Sequence, residues 1–437
     1  MKFYRKFRAM IQGKSRLSEA QILWTFFFAF LIVRTSFVFF SGYDSFELFG
    51  DTPRYDQQSD AILRGEFNLL SENLNELESL FVTAPFYPYF QALFKLLFGS
   101  HWIFALQTTQ ILLCSLSGVF LYKTARLVWR RNDAAITAAA IYCFYPLTLW
   151  WVHTFGQDMP FQYHFIFTVY FLLKAVYKNH FPSLVLSAVL FSITFLTKSH
   201  ILLYAPFIPL FIFLSKNKTF RQKLAYSATF ALICFVFTLP YGLYNLKVNN
   251  TYVISSSGEG SFFLIGHNDD MYKSLVTPPR RASIMEYEVI ERLKPKREGL
   301  THSEIQKMYF AEGVRWSLEN PRKYLLLKIY NLYYFLMPGV NPNYYSFRFW
   351  LASLLISLPV YLFAYFGIFT SLRRNFRKHF WIFGLFLSMF IFSVGFYVQN
   401  RFRTITLEPF YILYVALPTA DLFRFTIAKI CKNGENN

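Results

Sequence analysis

The stretch ILWTFFFAFLIVRTSFVFF, residues 22–40, runs directly into the acidic stretch SGYDSFELFGDTPRYDQQSD, residues 41–60. The first stretch has the length of one bilayer crossing, about 20 apolar residues, with Arg34 as its one charge. A basic segment precedes it, so we expect a signal anchor, because a cleaved signal peptide has a shorter apolar core. Together, the two stretches predict a transmembrane helix followed by an acidic loop. The acids of this loop are Asp44, Glu47, Asp51, Asp56 and Asp60.

The composition extends this pattern over the whole chain. Of the 437 residues, 54% are hydrophobic and 16% are charged, against about 25% charged residues in a typical soluble domain. Apolar runs of bilayer length recur along the chain, which one large soluble core does not explain. We predict an all-α polytopic membrane protein, a bundle of about ten transmembrane helices with loops on the outer face. The predicted spans lie near 20–41, 102–122, 134–152, 160–177, 181–197, 199–215, 224–245, 349–371, 380–398 and 407–425.

The charge distribution orients these spans. The net charge is +19, and basic residues gather in the N-terminal segment, in three connections and in the C-terminal tail. Ten spans put all of these on one side, which the positive-inside rule makes cytoplasmic. Topology therefore accounts for a charge that would suggest nucleic acid in a soluble protein, and no nucleic-acid partner is predicted. The basic segments are residues 1–16, 123–131, 216–223 and 373–378, with Lys429 and Lys432 in the tail.

Two long segments then face outward. Residues 42–100 end in PFYPYFQALFKLLFGS (85–100), which is too short to span a bilayer and predicts a helix lying in the outer interface. Residues 246–348 are long enough for a small extracytoplasmic cap. The predicted units are an N-terminal transmembrane module with the first outer loop (1–245), the cap (246–348), and C-terminal transmembrane helices with a basic tail (349–437).

Two aspartates are the candidate acids. Asp51 lies in GDTPRYDQQSD, where Pro53 suits the first turn of a helix. An Asp at such a position is also an ordinary N-cap, so a catalytic role and a capping role both stay open. Asp158 lies at the tip of a tight hairpin, HTFGQDMP (153–160). An acid at membrane level needs water, a cation or another partner, and the alternative is a solvated turn residue.

Three cations on the same predicted side are candidates for binding an anion. Lys198, with His200 close by, lies between two apolar runs, where it could reach lipid headgroups or hold a phosphate. Arg401 and Arg403 lie on the outer side, against the positive-inside bias, and Arg suits bidentate phosphate binding. Headgroup binding or pairing with Glu408 is the alternative for these two arginines.

These acids and cations come from distant parts of the chain and are predicted to reach one membrane face. Such a set suits a lipid-borne phosphate that meets a hydroxyl, since a carboxylate accepts the hydroxyl proton and cations stabilise the departing phosphate. A lipid-linked sugar flippase or an ion-coupled transporter would place charges near the bilayer midplane and often shows repeats, and we find no repeat in the sequence. A polysaccharide polymerase or ligase, which also uses outer-face lipid carriers, stays open.

The order of motifs along residues 20–425 resembles the GT-C fold glycosyltransferases of the dolichyl-phosphate-mannose protein mannosyltransferase and aminoarabinose transferase type, above all the family-39-like bacterial membrane enzymes. The motifs are an outer-loop acid with a following Tyr, a Pro-x-Tyr-Pro stretch before an amphipathic helix, an acid at the next outer tip, an Asn-rich turn and an outer Arg-x-Arg. In this sequence they correspond to GDTPRYDQQSD, APFYPYFQALFKLLFG, HTFGQDMP, YGLYNLKVNN and RFRTITLEP.

The resemblance implies roles for eight residues. Asp51 would be the catalytic base, and Asp158 would be a second acid in the same cavity. Two departures stand out: Gln157 precedes an Asp where the family usually has Thr or Ser before Glu, and Ala84 stands where an Arg often precedes the proline stretch. The implied phosphate-binding residues are Lys198, Arg401 and Arg403, and the implied substrate contacts are Tyr55, Tyr87 and His200.

A divalent cation is a possible cofactor, because some members of the family bind one and others need none. Glu259, His267 and Asp269 are possible ligands, but their spacing does not require a metal, and no metal-binding residue is assigned. The four cysteines have neither metal-ligand nor disulfide spacing.

The resemblance implies a membrane glycosyltransferase that moves a sugar from a polyprenyl-phosphate donor to a hydroxyl of a glycan, lipid or protein, with inversion at the anomeric carbon. The donor, the acceptor and the lipid bilayer are the expected partners. We expect the chain in the cytoplasmic (inner) membrane, with its active site facing outward.

Overall fold

A computed structural model describes residues 18–41, 51–68, 83–276, 288–342 and 345–434. Within these ranges the chain is almost entirely helical and has no β-strand. The α-helices there, in chain order, are α1 Glu19–Phe40, α2 Thr52–Leu63, α3 Phe86–Phe98, α4 Trp102–Trp129, α5 Asn132–Phe144, α6 Pro146–Leu149, α7 Asp158–Lys178, α8 Phe181–Thr197, α9 Phe207–Leu214, α10 Phe220–Asn249, α11 Glu259–Ile265, α12 Asp269–Val276, α13 Glu288–Arg292, α14 His302–Glu319, α15 Pro321–Leu336, α16 Phe347–Gly395, α17 Asn400–Thr406 and α18 Glu408–Gly434.

Several helices are long and apolar enough to cross a membrane. Among the described residues, four helical stretches meet this test, and a fifth does so if α5 and Pro146–His153, bent by 60°, count as one span. The chain is therefore an α-helical polytopic membrane protein, as predicted, while ten crossings stay a prediction. The four stretches are Glu19–Phe40, Phe86–Trp129, Phe220–Asn249 and Phe347–Gly395.

Two of the predicted spans are divided in the structure, and one predicted connection is found as a kink. The stretch α16 covers the predicted spans 349–371 and 380–398, and Asn375, in the connection predicted between them, interrupts it with non-helical dihedrals of φ −153° and ψ 78°. The predicted span 134–152 is broken before Pro146. In a continuous helix the proline ring would clash with the preceding turn, and proline has no N–H to donate to it. The predicted span 199–215 is divided into a 3₁₀ segment, Ser199–Tyr204, and the short helix α9.

Local sequence fixes where three of the helices begin. Ser18, Thr219 and Thr301 each precede a helix and accept a hydrogen bond from the backbone of the third helical residue, which is Gln or Glu. The side chain of that residue bonds back to the backbone of the capping residue. These reciprocal bonds satisfy donors that a helix start otherwise leaves without partners, so the sequence alone sets these starts.

Helix α7 lies in the middle of the bundle and packs against α4, α8 and α17. Large aromatic side chains fill the core behind it: the rings of Phe165 and Phe410 are 5.6 Å apart, and Trp381 packs edge-on against Phe410 at 5.6 Å. The outer helix α1 instead exposes rings such as Phe39, which is 79% exposed. This distribution leaves apolar surface for lipid on the outer helices and places the start of α7 inside the protein.

The residues predicted as a cap contain α11 to α15. Helix α11 packs so closely on α14 that a Cβ added to Gly260 would lie 1.9 Å from the carbonyl oxygen of Gln306. A Cβ added to Gly266 would likewise lie 2.1 Å from the carbonyl oxygen of Phe396, at the end of α16. Glycine is therefore required at both contacts, which join cap helices to one another and to the bundle. The unit boundaries themselves stay a prediction.

Candidate functional site

Asp51 occupies the N-cap position of α2, but its side chain makes no capping bond to the backbone. Its carboxylate forms two ion pairs instead. Oδ2 lies 3.0 Å from Nη1 of Arg401, and Oδ1 lies 3.4 Å from Nη2 of Arg54. The side chain is 28% exposed. Of the two roles left open by the sequence, the geometry is therefore not that of an ordinary cap.

These ion pairs set the protonation state of Asp51. Burial by itself would raise the pKa of the carboxyl. The guanidinium groups of Arg54 and Arg401 together outweigh burial and hold the pKa well below its usual range. Asp51 is therefore ionised at neutral pH, and with both arginines in place it is a weak base.

Asp158 and Lys198 form a second ion pair. Asp158 begins α7 and Lys198 follows α8, and the two ends meet so that Nζ lies 2.7 Å from Oδ1. Their side chains are 1% and 9% exposed, so Asp158 is not a solvated turn residue and Lys198 does not reach out to headgroups. The other carboxylate oxygen of Asp158 has no hydrogen-bond partner among the described residues.

Arg401 and Arg403 point in different directions. Arg401 faces Asp51, and its Nε donates to Gln399 at 2.9 Å. Arg403 is 2% exposed and donates to the carbonyls of Tyr334, Phe335, Met337 and Gly339 at 2.6–3.0 Å, around the end of α15.

Arg403 also lies 3.5 Å from Oε1 of Glu408, the pairing that the sequence left open. Because its donors bind carbonyls that α15 leaves without intrahelical partners, Arg403 ties α17 to α15 and to the start of α18. Its guanidinium does not line the cavity described next.

A cavity of about 170 Å³ lies where the start of α2, the turn before α7, the end of α8 and α17 meet. Three cations and one carboxylate are in its wall, with Asp158 directly behind Lys198. The charged and titratable residues that line it, among those the structure describes, are Asp51, Arg54, Tyr55, Lys198, His200 and Arg401.

Of the three predicted substrate contacts, two line the cavity and one packs behind it. Tyr55 lines the cavity, and Tyr87 packs edge-on behind it with ring centroids 5.1 Å apart. His200 lines the cavity between the rings of Phe161 and Phe402, at 4.8 and 5.1 Å, with its Nε2 3.3 Å from a threonine hydroxyl. Only two of the three predicted contacts are therefore at the surface of the cavity.

Sequence analysis missed several polar residues of this wall. The i, i+3 spacing from Asp51 to Arg54 on a helix predicted from Pro53 would have placed that arginine beside the acid. Gln157 was noted only as a departure from the resembled family. Nothing in the sequence marks the others, because ordinary serines and threonines become site residues only through tertiary contacts. They are Thr83, Ser199, Ser256 and Ser257.

The site has no donor set for a metal in the part of the chain that the structure describes: no group of three or more His, Cys, Asp and Glu side chains could hold an ion there. Asp51 and Asp158 both have cationic partners, which disfavours a divalent cation beside them. Of the possible ligands, His267 bonds to the carbonyl of Phe263, and Asp269 pairs with Lys323 at 2.7 Å. Glu259 accepts a hydrogen bond from the backbone before α11. A divalent cofactor stays a prediction.

Residues 82–242, from four residues before α3 into α10, match the model of the dolichyl-phosphate-mannose-protein mannosyltransferase family. The matched region contains Asp158 and Lys198 but neither Asp51 nor Arg401. No curated protein sequence matches the chain.

Solved structures of an archaeal enzyme share the fold. The oligosaccharyltransferase AglB from Archaeoglobus fulgidus, in complex with an inhibitory peptide and a dolichol-phosphate, superimposes with a TM-score of 0.59 at 13% identity, over 95% of this chain and 52% of AglB. The apo form from the same organism gives 0.58 at 13% identity, over 94% and 52%. A form tethered to an acceptor peptide with the NVT sequon gives 0.56 at 15% identity, over 93% and 50%.

The chain therefore spans about half the length of these structures, and identities this low show the fold alone. Together with the family match, they confirm the resemblance to GT-C fold glycosyltransferases that the sequence motifs indicated.

Proposed function

We propose that this chain is a membrane glycosyltransferase that moves a sugar from a polyprenyl-phosphate carrier to a hydroxyl acceptor on the outer side of the cytoplasmic membrane. The single observation that carries the proposal is the convergence of Asp51, Lys198 and Arg401 on one cavity, from three distant parts of the chain. A carboxylate and cations in one cavity are the groups that deprotonation of an acceptor and departure of a phosphate require.

The charge of the site supports a phosphate ligand. Among the described residues, three cations, Arg54, Lys198 and Arg401, stand against two carboxylates, Asp51 and Asp158, which leaves one positive charge. A sugar phosphodiester carries one negative charge, and its departing phosphate gains a second. The site therefore has the sign of charge that stabilises the departing group. Arg54 supplies a cation in a wall where Ala84 replaces the arginine common in the resembled family.

The proposed reaction is one displacement. The acceptor hydroxyl attacks the anomeric carbon while Asp51 accepts its proton, the bond from that carbon to the phosphate oxygen breaks, and the electron pair stays on the polyprenyl phosphate. Attack opposite the departing phosphate inverts the anomeric centre. Lys198 and Arg401 stabilise the charge that the phosphate gains, and Asp158 holds Lys198 in place. Arg403 anchors α17, with no phosphate contact assigned to it in this scheme.

Mass spectrometry of envelope glycans and lipids tests the proposal, in cells that lack the gene and carry wild type, Asp51→Asn or Asp56→Asn. Asp56 lies on the same helix but pairs with Lys95 and is outside the cavity wall. We expect a glycosylated species that wild type and Asp56→Asn restore and Asp51→Asn does not. An unchanged glycan and lipid profile without the gene overturns the proposal, and sugar-lipid flux in liposomes without transfer favours a flippase.

A further inference from the structure

The two guanidinium partners of Asp51 reach it from different parts of the fold. Arg54 lies one turn along α2, and its Nη2 also donates to the hydroxyl of Tyr55 at 3.2 Å. Arg401 belongs to α17, 350 positions away in the chain. Arg54 therefore moves with the helix that carries Asp51, whereas Arg401 is held by a separate element.

Both arginines line the cavity, but their side chains are exposed to different extents. The Arg401 side chain is 27% exposed, against 15% for Arg54. Lys198 lines the same cavity, so an anion that enters it meets both Arg401 and Lys198. The guanidinium of Arg401 is planar and suits a phosphate as well as it suits a carboxylate. A phosphate in the cavity and the carboxylate of Asp51 are thus alternative partners for one guanidinium.

We propose that the donor phosphate and Asp51 compete for Arg401, and that Arg54 is a positioning residue that keeps Asp51 at the cavity while Arg401 binds the phosphate. This inference rests on the proposed function, because it assumes that a polyprenyl phosphate enters the cavity.

This competition makes the basicity of Asp51 depend on the presence of the donor. The charged and titratable groups that face Asp51 are Arg54 and Tyr55 on α2, Lys198 after α8 and Arg401 on α17. Without donor, two guanidinium groups share the negative charge of Asp51, which weakens it as a base. With donor bound, Arg401 turns to the phosphate, and Asp51 becomes a stronger base only when a sugar is in place. The proton then passes from the acceptor hydroxyl to the carboxylate as the bond to the phosphate breaks.

Binding of farnesyl phosphate, a short polyprenyl phosphate, tests the competition on the purified full-length chain. Asp51→Asn removes the carboxylate that competes for Arg401, so we expect it to bind farnesyl phosphate at least about fivefold more tightly than wild type. Asp56→Asn is the matched control and leaves the affinity unchanged. Equal or weaker binding by Asp51→Asn overturns the competition. If Asp51→Asn does not fold, as judged by its melting curve, Asp51→Ser replaces it.

Arg54→Gln tests the positioning role. We expect it to lower kcat about tenfold or more while weakening farnesyl phosphate binding less than Arg401→Gln does, and Arg54→Lys recovers part of the loss. Arg401→Gln weakens farnesyl phosphate binding in the same assay. If Arg54→Gln weakens binding as much as Arg401→Gln does, Arg54 is a phosphate ligand and the positioning role is wrong.

The same measurements separate this inference from the function it rests on. Failure of wild type to bind farnesyl phosphate removes the donor site and with it the proposed function. Binding by wild type that Arg401→Gln weakens, with no gain in Asp51→Asn, leaves the donor site standing and overturns the competition alone.

Discussion

Nζ of Lys198 lies 2.7 Å from Oδ1 of Asp158, and both side chains are almost completely buried at the wall of the cavity. Folding desolvates both charged groups, and each is compensated by the opposite charge of the other. Removal of one partner leaves the second as an unpaired buried charge, whereas removal of both leaves none. The pair therefore differs from the surface ion pairs of the same chain in what its substitution should cost.

We expect Asp158→Asn or Lys198→Met alone to destabilise the protein by about 3–5 kcal/mol, the usual cost of an unpaired buried charge. The double substitution Asp158→Asn with Lys198→Met should cost less than the sum of the two single changes. Thermal melts in detergent measure both. The control is Asp60→Asn, which removes a half-exposed partner of Lys95 and should cost about 0–1 kcal/mol. Additive effects of the buried pair would contradict the expectation.

Substitution by lysine should affect the stability of the protein differently at Arg401 and at Arg403. Arg403→Lys loses the fork that donates to four carbonyls at the end of α15, so we expect a destabilisation of about 3–5 kcal/mol in thermal melts. Arg401→Lys keeps the charge near Asp51 and should change stability by less than about 1 kcal/mol. It should still raise the KM for donor, because an ammonium does not bind phosphate through two parallel hydrogen bonds. A normal melting temperature for Arg403→Lys would show that the anchor is dispensable.

Asp51→Asn should abolish transfer in a protein that still folds. An amide accepts no proton from the acceptor, and general-base help is typically worth about 10²–10⁴-fold in rate. Turnover with a polyprenyl-phosphate sugar in liposomes measures the loss, and Asp56→Asn should keep the wild-type rate. A rate for Asp51→Asn within about threefold of wild type would remove Asp51 from the chemistry.

His267 should make the stability of the cap depend on pH. Burial, with the nearby Lys328 charge, lowers the pKa of His267 to about 3 in the folded protein, against about 6.5 when unfolded. The unfolded chain therefore binds a proton that the folded chain does not, so stability falls as the pH drops below about 6.5. We expect a loss of about 1.4 kcal/mol at pH 5.5 relative to neutral pH.

His267→Asn should flatten this dependence by that amount in melts at pH 7.5 and 5.5. Equal slopes for wild type and His267→Asn would show that His267 gains no proton on unfolding.

Much of the fold could be predicted from the sequence because its determinants are local. The length of an apolar run sets a span, and capping residues such as Ser18 and Thr219 set a helix start. The break before Pro146 was missed although the proline itself marks it. The break in Ser199–Tyr204 was missed because a long apolar run has the same hydropathy whether it is straight or divided. Tertiary packing decides between these two forms.

The charged residues of the candidate site could be predicted from the sequence. The contacts between them could not. A charge at membrane level is costly, so Asp51, Asp158, Lys198 and Arg401 could be singled out without coordinates. The pairings Asp51–Arg401 and Asp158–Lys198 could not, because the two residues of each pair belong to different elements of the fold. Arg403 shows the limit: on α17 two positions correspond to a rotation of about 200°, so neighbours in an Arg-x-Arg motif face opposite sides.

The sequence by itself determined that this chain crosses a membrane in helices and carries its informative charges at their ends, because hydrophobic length and charge are properties of short segments. Only the tertiary structure decided that Arg401 meets Asp51 and that Arg403 meets the end of α15 instead. The physical reason is that an ion pair depends on where two helices place their faces, and that placement follows from the packing of the whole bundle.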